Sequence, residues 1–496
     1  MCPGYEYLLG IDIGNTNTKC VALSTLGHVL AVERMESAVA FTVDKRELDG
    51  ERLWQLVLKI LQKTVAKVRM AYPLAEALAV SVAAMGCRAI LLNERKEQVF
   101  FPIRNDGGNE MHRESVCLHT GYQSNYDNLR LQMMRAYEGQ EERMAEIAYI
   151  LPISDYIIYR LCGIMSISYN SAGSLSMLDI QKKNWWREFL PSRYLAESIF
   201  LPLVESGKAI EKMDSRARRA IGISGDVTVV SGGQDYLCAV LAGGMELENH
   251  ILEVIGSYEM LSCISKRSGI PGSYAGVTEF WDLHIYPGLF SHTLECQGAL
   301  WLEWLRNDVL STAYYRIDDR EWELMIEGLN DLILSPILPL ESLFLPETDD
   351  IEYLRSYAAS YICRLKGVTG RSAQLLLMSS VIQGLNLKVR MVLEECLKDG
   401  ISQSVLTVLG GGARSHYWMA NKADILGIPI QVPNIPEASA AGAAMLAGIG
   451  AGCFENFKEA SGILQGRSVS VYQPDPERIR QWDEIYQMKF LPSYKR

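Results

Sequence analysis

The chain has 496 residues, 48% of them apolar, with a formal net charge of −11 and an isoelectric point near 5.3. That length is too great for one compact core and calls for two domains of roughly 250 residues each. The acidic balance argues against a nucleic acid or an anionic membrane as the main partner. No apolar run reaches about 18 residues without a charge or a glycine-rich break, and the 11 scattered cysteines, with no C-x-x-C pair, fit reduced thiols in a cytoplasm.

The first residues, Met1 to Tyr7, lack the basic-then-apolar pattern of a signal peptide. Alternation and turn residues then predict strands at 7–13, 18–24 and 29–34, joined by turns at 14–17 and 26–28. Leu53, Leu56, Val57, Ile60 and Leu61 have helical spacing, so 50–70 reads as a helix. A short apolar strand follows at 77–83, then a hairpin of 89–92 with 99–101 around the polar turn 93–98, then a mostly helical stretch over 110–160. Residues 227–230 form a buried strand ending at Ser231-Gly232-Gly233. A second hairpin pairs 251–255 with 259–265 around Gly256-Ser257, and its plan repeats that of the first, which reads as an internal duplication. A long amphipathic helix at 372–395, a strand at 405–409 whose glycines 410–412 open the next helix, and a small-residue helix at 438–447 complete the chain. The domain boundary is expected near residue 245, and the segment 243–250 is the expected hinge, because Gly243-Gly244 can absorb backbone rotation.

Three sites carry chemistry. In Asp12-Ile13-Gly14-Asn15-Thr16-Asn17-Thr18-Lys19 a carboxylate ends a buried strand, Gly14 lets a ligand approach the backbone, and Asn15, Thr16, Asn17 and Lys19 offer donors and a cation. That set suits a triphosphate whose Mg²⁺ is held by Asp12, against the plainer reading of an Asn/Gly turn. In Gly232-Gly233-Gln234-Asp235 a strand ends in glycines and an acid opens a helix. Such an acid can take the proton from an attacking hydroxyl, or simply cap the helix. In Gly410-Gly411-Gly412-Ala413-Arg414-Ser415 glycines between a strand and a helix let a flat ligand lie on the backbone. A dinucleotide turn is disfavoured there because the G-x-G-x-x-G spacing fails at its third glycine. There is no G-x-x-x-x-G-K-[ST], H-R-D or D-F-G motif, which disfavours P-loop NTPases and protein kinases.

In order and separation these sites resemble the FGGY carbohydrate kinases. Leu151-Pro152-Ile153-Ser154-Asp155-Tyr156 looks like that family's central segment, and Gly298-Ala299-Leu300 like its small-residue motif. Ala423-Asp424-Ile425-Leu426-Gly427 with Glu437-Ala438-Ser439-Ala440-Ala441-Gly442 looks like its C-terminal signature. The resemblance implies an α/β fold of two ribonuclease-H-like domains, as in actin-like ATPases, flanking a central cleft. Residues 1–245 would bind sugar and phosphate, and residues 246–496 the nucleotide. It implies ATP and Mg²⁺, with Asp235 as the base, and Asp12 with Asp235 at the metal. Gly14, Asn15, Thr16, Asn17, Lys19, Gly256, Ser257, Gly298, Gly411, Gly412 and His416 would face ATP. Cys87, Arg88, Asp106 and Asp235 would face the acceptor, a small sugar or polyol. Neither nucleic acid nor membrane is an expected partner, and a homodimer is compatible with the resemblance.

The acceptor side departs from the family. Met85-Gly86-Cys87-Arg88 stands where many members carry Gln-Met-His or Gln-Arg-Glu, Arg104-Asn105-Asp106-Gly107-Gly108 where they carry an aromatic and N-D-x-R, and Ser257-Tyr258-Glu259 where the hairpin usually ends in Thr-Ser-Gly. The particular sugar is therefore not legible. The alternatives to an active kinase are a kinase-fold sugar or nucleotide sensor and another actin-like ATPase. Keeping both Asp12 and Asp235 favours turnover, because a sensor needs no base.

Overall fold

The computed structural model describes residues 6–40, 48–100, 113–122, 129, 133, 144–187, 196–244, 251–272, 277–311, 315–333, 344–345, 351–365, 368–398, 404–464 and 468–494. The chain starts as an antiparallel meander of β1 (Glu6–Ile13), β2 (Asn17–Ser24) and β3 (Val29–Glu36), and β4 (Glu76–Ala84) lies parallel to β1. Then come β5 (Ala89–Leu92) and β6 (Tyr149–Pro152), which pair with each other. Four two-residue strands follow: β7 (Ile167–Ser168), β8 (Leu178–Asp179), β9 (Asn184–Trp185) and β10 (Leu203–Val204). The first sheet is completed by β11 (Ala209–Lys212), β12 (Thr228–Val230) and β13 (Gly233–Gln234); its order is β11-β12-β4-β1-β2-β3, with β13 also on β4.

The second sheet contains β14 (Ile251–Ile255), β15 (Tyr258–Ser265), β16 (Thr278–Leu283), β17 (Phe290–Gln297), β18 (Leu406–Gly410), β19 (Ile430–Pro433) and β20 (Val469–Tyr472), in the order β16-β17-β15-β14-β18-β19-β20. Its centre repeats the first: the antiparallel run β14, β15, β17 matches β1, β2, β3, and the parallel pair β18, β19 matches β4, β12. The repeat seen in the two hairpins thus extends to whole sheets. β1 is buried along seven of its eight residues because helices cover both faces. Leu9, Ile11 and Ile13 join the cluster under the Gly50–Ala71 helix, and Leu8 the one under the Ala438–Gly450 helix.

The Ala438–Gly450 helix crosses between the halves. It belongs to the last part of the sequence yet packs on β1, β4 and the Asp235–Ala242 helix. The approach is so close that a Cβ on Gly10 would lie 1.9 Å from the Ala440 carbonyl oxygen, and one on Gly442 1.8 Å from that of Cys238. The sheets themselves divide between Gln234 and Ile251. The expected hinge overlaps residues 245–250, which lie outside the described residues.

Three local expectations change. Among the described residues the 89–92 hairpin closes only through a single antiparallel bridge, Leu92 opposite Gln98, with Val99 N–H on Leu91 O (2.8 Å); the ladder of β5 is made on its other edge with β6, whose Ile150 and Leu151 are fully buried. The helical reading of 110–160 fails at β6, because Pro152 disfavours helical backbone at the residue before it. The described helices there are Arg113–Thr120 and Ile153–Cys162. The 410–412 glycines do not open the following helix: Gly410 ends β18 at φ 94°, Gly412–Arg414 makes a 3₁₀ turn, and Ser415 caps the His416–Leu426 helix through Trp418 N–H (3.3 Å). The Gly370–Lys398 helix contains a 25-residue stretch long and apolar enough to cross a membrane, but most of its apolar window (72%) is buried inside the second half, as in a core helix.

Candidate active site

Strand register assembles the centre. Gly233 and Asp12 both lie opposite Ala83 of β4, Asp12 is opposite Lys19 of β2, and Lys19 is opposite Arg34 of β3. One lateral row therefore runs Gly233, Ala83, Asp12, Lys19, Arg34 where the parallel strands β1, β4 and β13 end, the edge of an α/β sheet that binds ligands. Asp235 starts its helix one residue beyond β13. β13 reaches β4 only because residue 232 is glycine: a Cβ there would lie 1.8 Å from the Val82 carbonyl oxygen.

Asp12 is 4% exposed. Its Oδ2 is 3.3 Å from Lys19 Nζ, while its Oδ1 is buried with no hydrogen-bond partner. Burial pushes the Asp12 carboxyl up to about 7, with Lys19 pulling down and Asp235 and Glu437 pushing further up. Asp235 is half-buried, and its Oδ1 accepts the Tyr236 N–H at 2.7 Å. Burial raises its carboxyl too, opposed by that N–H and by Lys19.

Glu437 had no assigned role in the sequence beyond a place in the C-terminal signature. It takes left-handed backbone (φ 49°) at the start of its helix and receives Lys19 at 3.2 Å, Arg414 at 3.4 Å and Arg34. Burial pushes its carboxyl up, but Lys19 and Arg34 outweigh that and hold it below the usual range.

The 14–17 turn is braced from below. Ser37 donates its hydroxyl to Gly14 O (2.6 Å) and its N–H to Thr16 O (2.9 Å), leaving Asn15 and Thr16 exposed and Gly14 and Asn17 half-buried. In the second half Gly256 is exposed beside half-buried Ser257. Gly298 N–H bonds to Ser257 O at 2.9 Å, so Gly298 supports that hairpin. Beneath it Lys422, fully buried, pairs with Glu259 at 3.0 Å and with Glu253. Gly410 lies opposite Ile255, which brings the glycine loop beside this hairpin. A cavity of about 510 Å³ opens there, lined among others by Lys19, Gly411, Arg414, His416, Glu437 and Tyr472. His416 Nδ1 is 2.7 Å from the Tyr472 hydroxyl. Gly412 adjoins this lining without belonging to it.

On the acceptor side, Gly86, Cys87 and Arg88 follow β4 and are half-buried. Cys87 holds left-handed backbone (φ 64°), unusual outside glycine and a form of strain that clusters at functional sites. Asp106 and Arg104 lie outside the described residues.

Two sheets of repeated plan, acids at strand ends of the first and a glycine-lined cavity beside the second make up the two-domain, actin-like fold. Comparison with known proteins agrees. The description "FGGY family of carbohydrate kinases, N-terminal domain" matches residues 7–242, and its C-terminal counterpart matches residues 289–451. The chain is 27% identical over 333 residues to an L-fuculokinase of Escherichia coli (strain K12), a match spanning 66% of each protein. It is 21% identical over 500 residues to a xylulose kinase of Staphylococcus epidermidis, covering 97% of this chain and 95% of that one. A ligand-bound xylulose kinase structure from Lactobacillus acidophilus superposes with a TM-score of 0.77 at 17% identity, over 98% and 97% of the two chains. The chain belongs to the FGGY family of carbohydrate kinases, phosphotransferases whose acceptor is a hydroxyl group.

Proposed function

We propose that this chain transfers the γ-phosphate of ATP to a hydroxyl of a small sugar or polyol, with Asp235 as general base. The observation that carries the reading is the convergence of Asp12, Lys19 and Asp235 at one sheet edge. Residues up to 245 would hold the acceptor and the phosphates, through Cys87 and Arg88 and through Gly14, Asn15, Thr16, Asn17 and Lys19. Residues from 246 on would hold the nucleotide, through Gly256, Ser257, Gly411, Gly412 and His416, with Gly298 backing the hairpin.

Asp235 would take the proton as the acceptor oxygen bonds to phosphorus and the bond to the departing diphosphate breaks. Lys19 would face the phosphates as a fixed cation. Asp12, and with it Asp235, would hold Mg²⁺; the buried, unpartnered Oδ1 of Asp12 fits a cation ligand. Mg²⁺, when bound, supplies charge neutralisation at the phosphates. Such ions are commonly held by one or two carboxylates plus phosphate oxygens, so a protein-only cage is not needed.

The test is an ADP-release screen over pentuloses, hexuloses, polyols and sugar acids, run with the wild type and Asp235→Asn. An acceptor that the wild type turns over should lose about 10²-fold or more in kcat in the variant, the usual scale for a general base, while ATP binding stays near wild type. Near-wild-type turnover by the variant would remove Asp235 from the role.

A further inference from the structure

One carboxylate of the second half is embedded in the first. Asp282, on β16, is fully buried. Its Oδ2 accepts from the Tyr122 hydroxyl at 2.7 Å and from Gln234 Nε2, and a Cβ on Gly173 would lie 2.2 Å from its Oδ1. Its own strand adds the Leu283 N–H to Oδ1 at 2.8 Å. Asn170 closes the network: its Nδ2 donates to Leu283 O (2.9 Å), its Oδ1 accepts Gln234 N–H (2.6 Å), and its carbonyl accepts Gln234 Nε2 (3.3 Å).

Gln234 directly precedes Asp235. Both hydrogens of its Nε2 are taken, by Asp282 and by Asn170 O, so the amide turns its oxygen the other way. That Oε1 lies 2.7 Å from where a Cβ on Gly86 would stand, under the loop that carries strained Cys87. The Cys87 N–H meets Ser174 Oγ at 3.4 Å from the same side. Burial pushes the Asp282 carboxyl up to about 7, opposed by Tyr122, Gln234 and the Leu283 N–H. The ionised carboxylate accepts from all three donors and has no proton to give.

We propose that Asp282 is a positioning residue for phosphoryl transfer, orienting the Gln234 amide and through it both the start of the Asp235 helix and the Gly86–Cys87 loop that faces the acceptor. It rests on the reading of Asp235 as base and of residues 86–88 as the acceptor side. Its effect on both runs through Gln234, the residue between them. Asparagine at 282 keeps the shape but offers one acceptor and one donor. With its oxygen held by Leu283 N–H, its Nδ2 confronts Gln234 Nε2, and the Gln234 amide must flip and present N–H to the loop. Tyr122→Phe is the control: it removes a donor from the same Oδ2, leaves Gln234 alone and keeps the ring stacked on Phe280.

The full-length wild type, Asp282→Asn and Tyr122→Phe are compared by acceptor kcat and KM, ATP KM, and the rate of Cys87 alkylation by iodoacetamide, read by mass spectrometry. Asp282→Asn should lower acceptor kcat/KM by about tenfold or more, the scale of a small misplacement, with ATP KM nearly unchanged and a clear change in Cys87 alkylation. Tyr122→Phe should stay near wild type in all three, whatever it does to the unfolding midpoint. Wild-type kinetics and alkylation in Asp282→Asn would overturn the proposal, as would equal losses in both variants, which would make the network structural glue. A wild type inactive on every acceptor would overturn the kinase reading instead. Alkylation would then decide alone: a change confined to Asp282→Asn upholds the positioning role, and no change overturns it.

Discussion

Asp12 combines three properties that pull against one another: it is buried, it keeps one oxygen unpartnered, and it has Lys19 on the other oxygen. An unsatisfied buried carboxylate oxygen destabilises a fold, so its retention points to a ligand that completes it. Asp12→Ala should therefore remove Mg²⁺-dependent turnover without harming the fold, since it also removes the buried charge. Activity measured across a Mg²⁺ titration, beside the unfolding midpoint, checks this. Turnover with an unchanged Mg²⁺ requirement would return Asp12 to the status of a turn residue. The acid at the end of a strand was visible in the sequence. That Glu437, some 400 residues away, would share Lys19 with it was not, because only folding sets the Ala438–Gly450 helix against β1 and β2.

Among the described elements, the Ala438–Gly450 helix is one with very little room. Gly442 packs its Cα against the carbonyl of Cys238, and Gly10 of β1 meets Ala440 in the same way. Gly442→Ala should cost about 3 kcal/mol or more, because the overlap is with backbone and no side chain can rotate away. By contrast, the space beside Gly411 is open. Gly411→Ala should leave stability nearly unchanged and raise the KM for ATP, since the added methyl enters the cavity. Denaturant unfolding midpoints and ATP kinetics on the two variants separate the effects; equal stability losses would sink the distinction. The sequence showed a helix of small residues but not what approached it. Smallness at 440 and 442 is a demand made by a partner surface, and periodicity carries no information about that partner.

At the scale of the whole molecule, several acids are held far from their ordinary range. Burial pushes Asp12, Asp155, Asp282 and Glu295 each up to about 7, Glu295 with help from Asp235, while it pulls His284 down to about 3. Between about pH 4.5 and 7 the folded chain keeps protons on those four carboxyls that the unfolded chain has released, so raising the pH through that window lowers stability. His284 acts in the opposite sense below about 6.5, where the unfolded chain gains a proton the folded one refuses. Four groups against one leave a net fall in the unfolding midpoint of the ligand-free protein from about pH 5 to 7, flattening above. Turnover should rise as the pH leaves the acid range, because burial raises the Asp235 carboxyl and Asp235 must be ionised to act. Thermal melts and kcat measured over one buffer series check both signs, and a midpoint that climbs steadily to pH 7 would contradict the first.

What the sequence determined by itself is local: the strands and turns of the two hairpins, the acid closing each critical strand, the glycines where backbone must come close, and the ordered set of motifs that resembles the FGGY kinases. These follow from side-chain periodicity and backbone stereochemistry, which neighbouring residues impose on one another. Only the tertiary structure decided that β5 pairs with β6, that Ser415 and not the glycines starts the following helix, that Glu437 gathers three cations, and that Asp282 of the second half grips Gln234 in the first. Each of those depends on groups far apart along the chain, brought together by sheet register and by the burial of whole faces, and no window of adjacent residues contains that information.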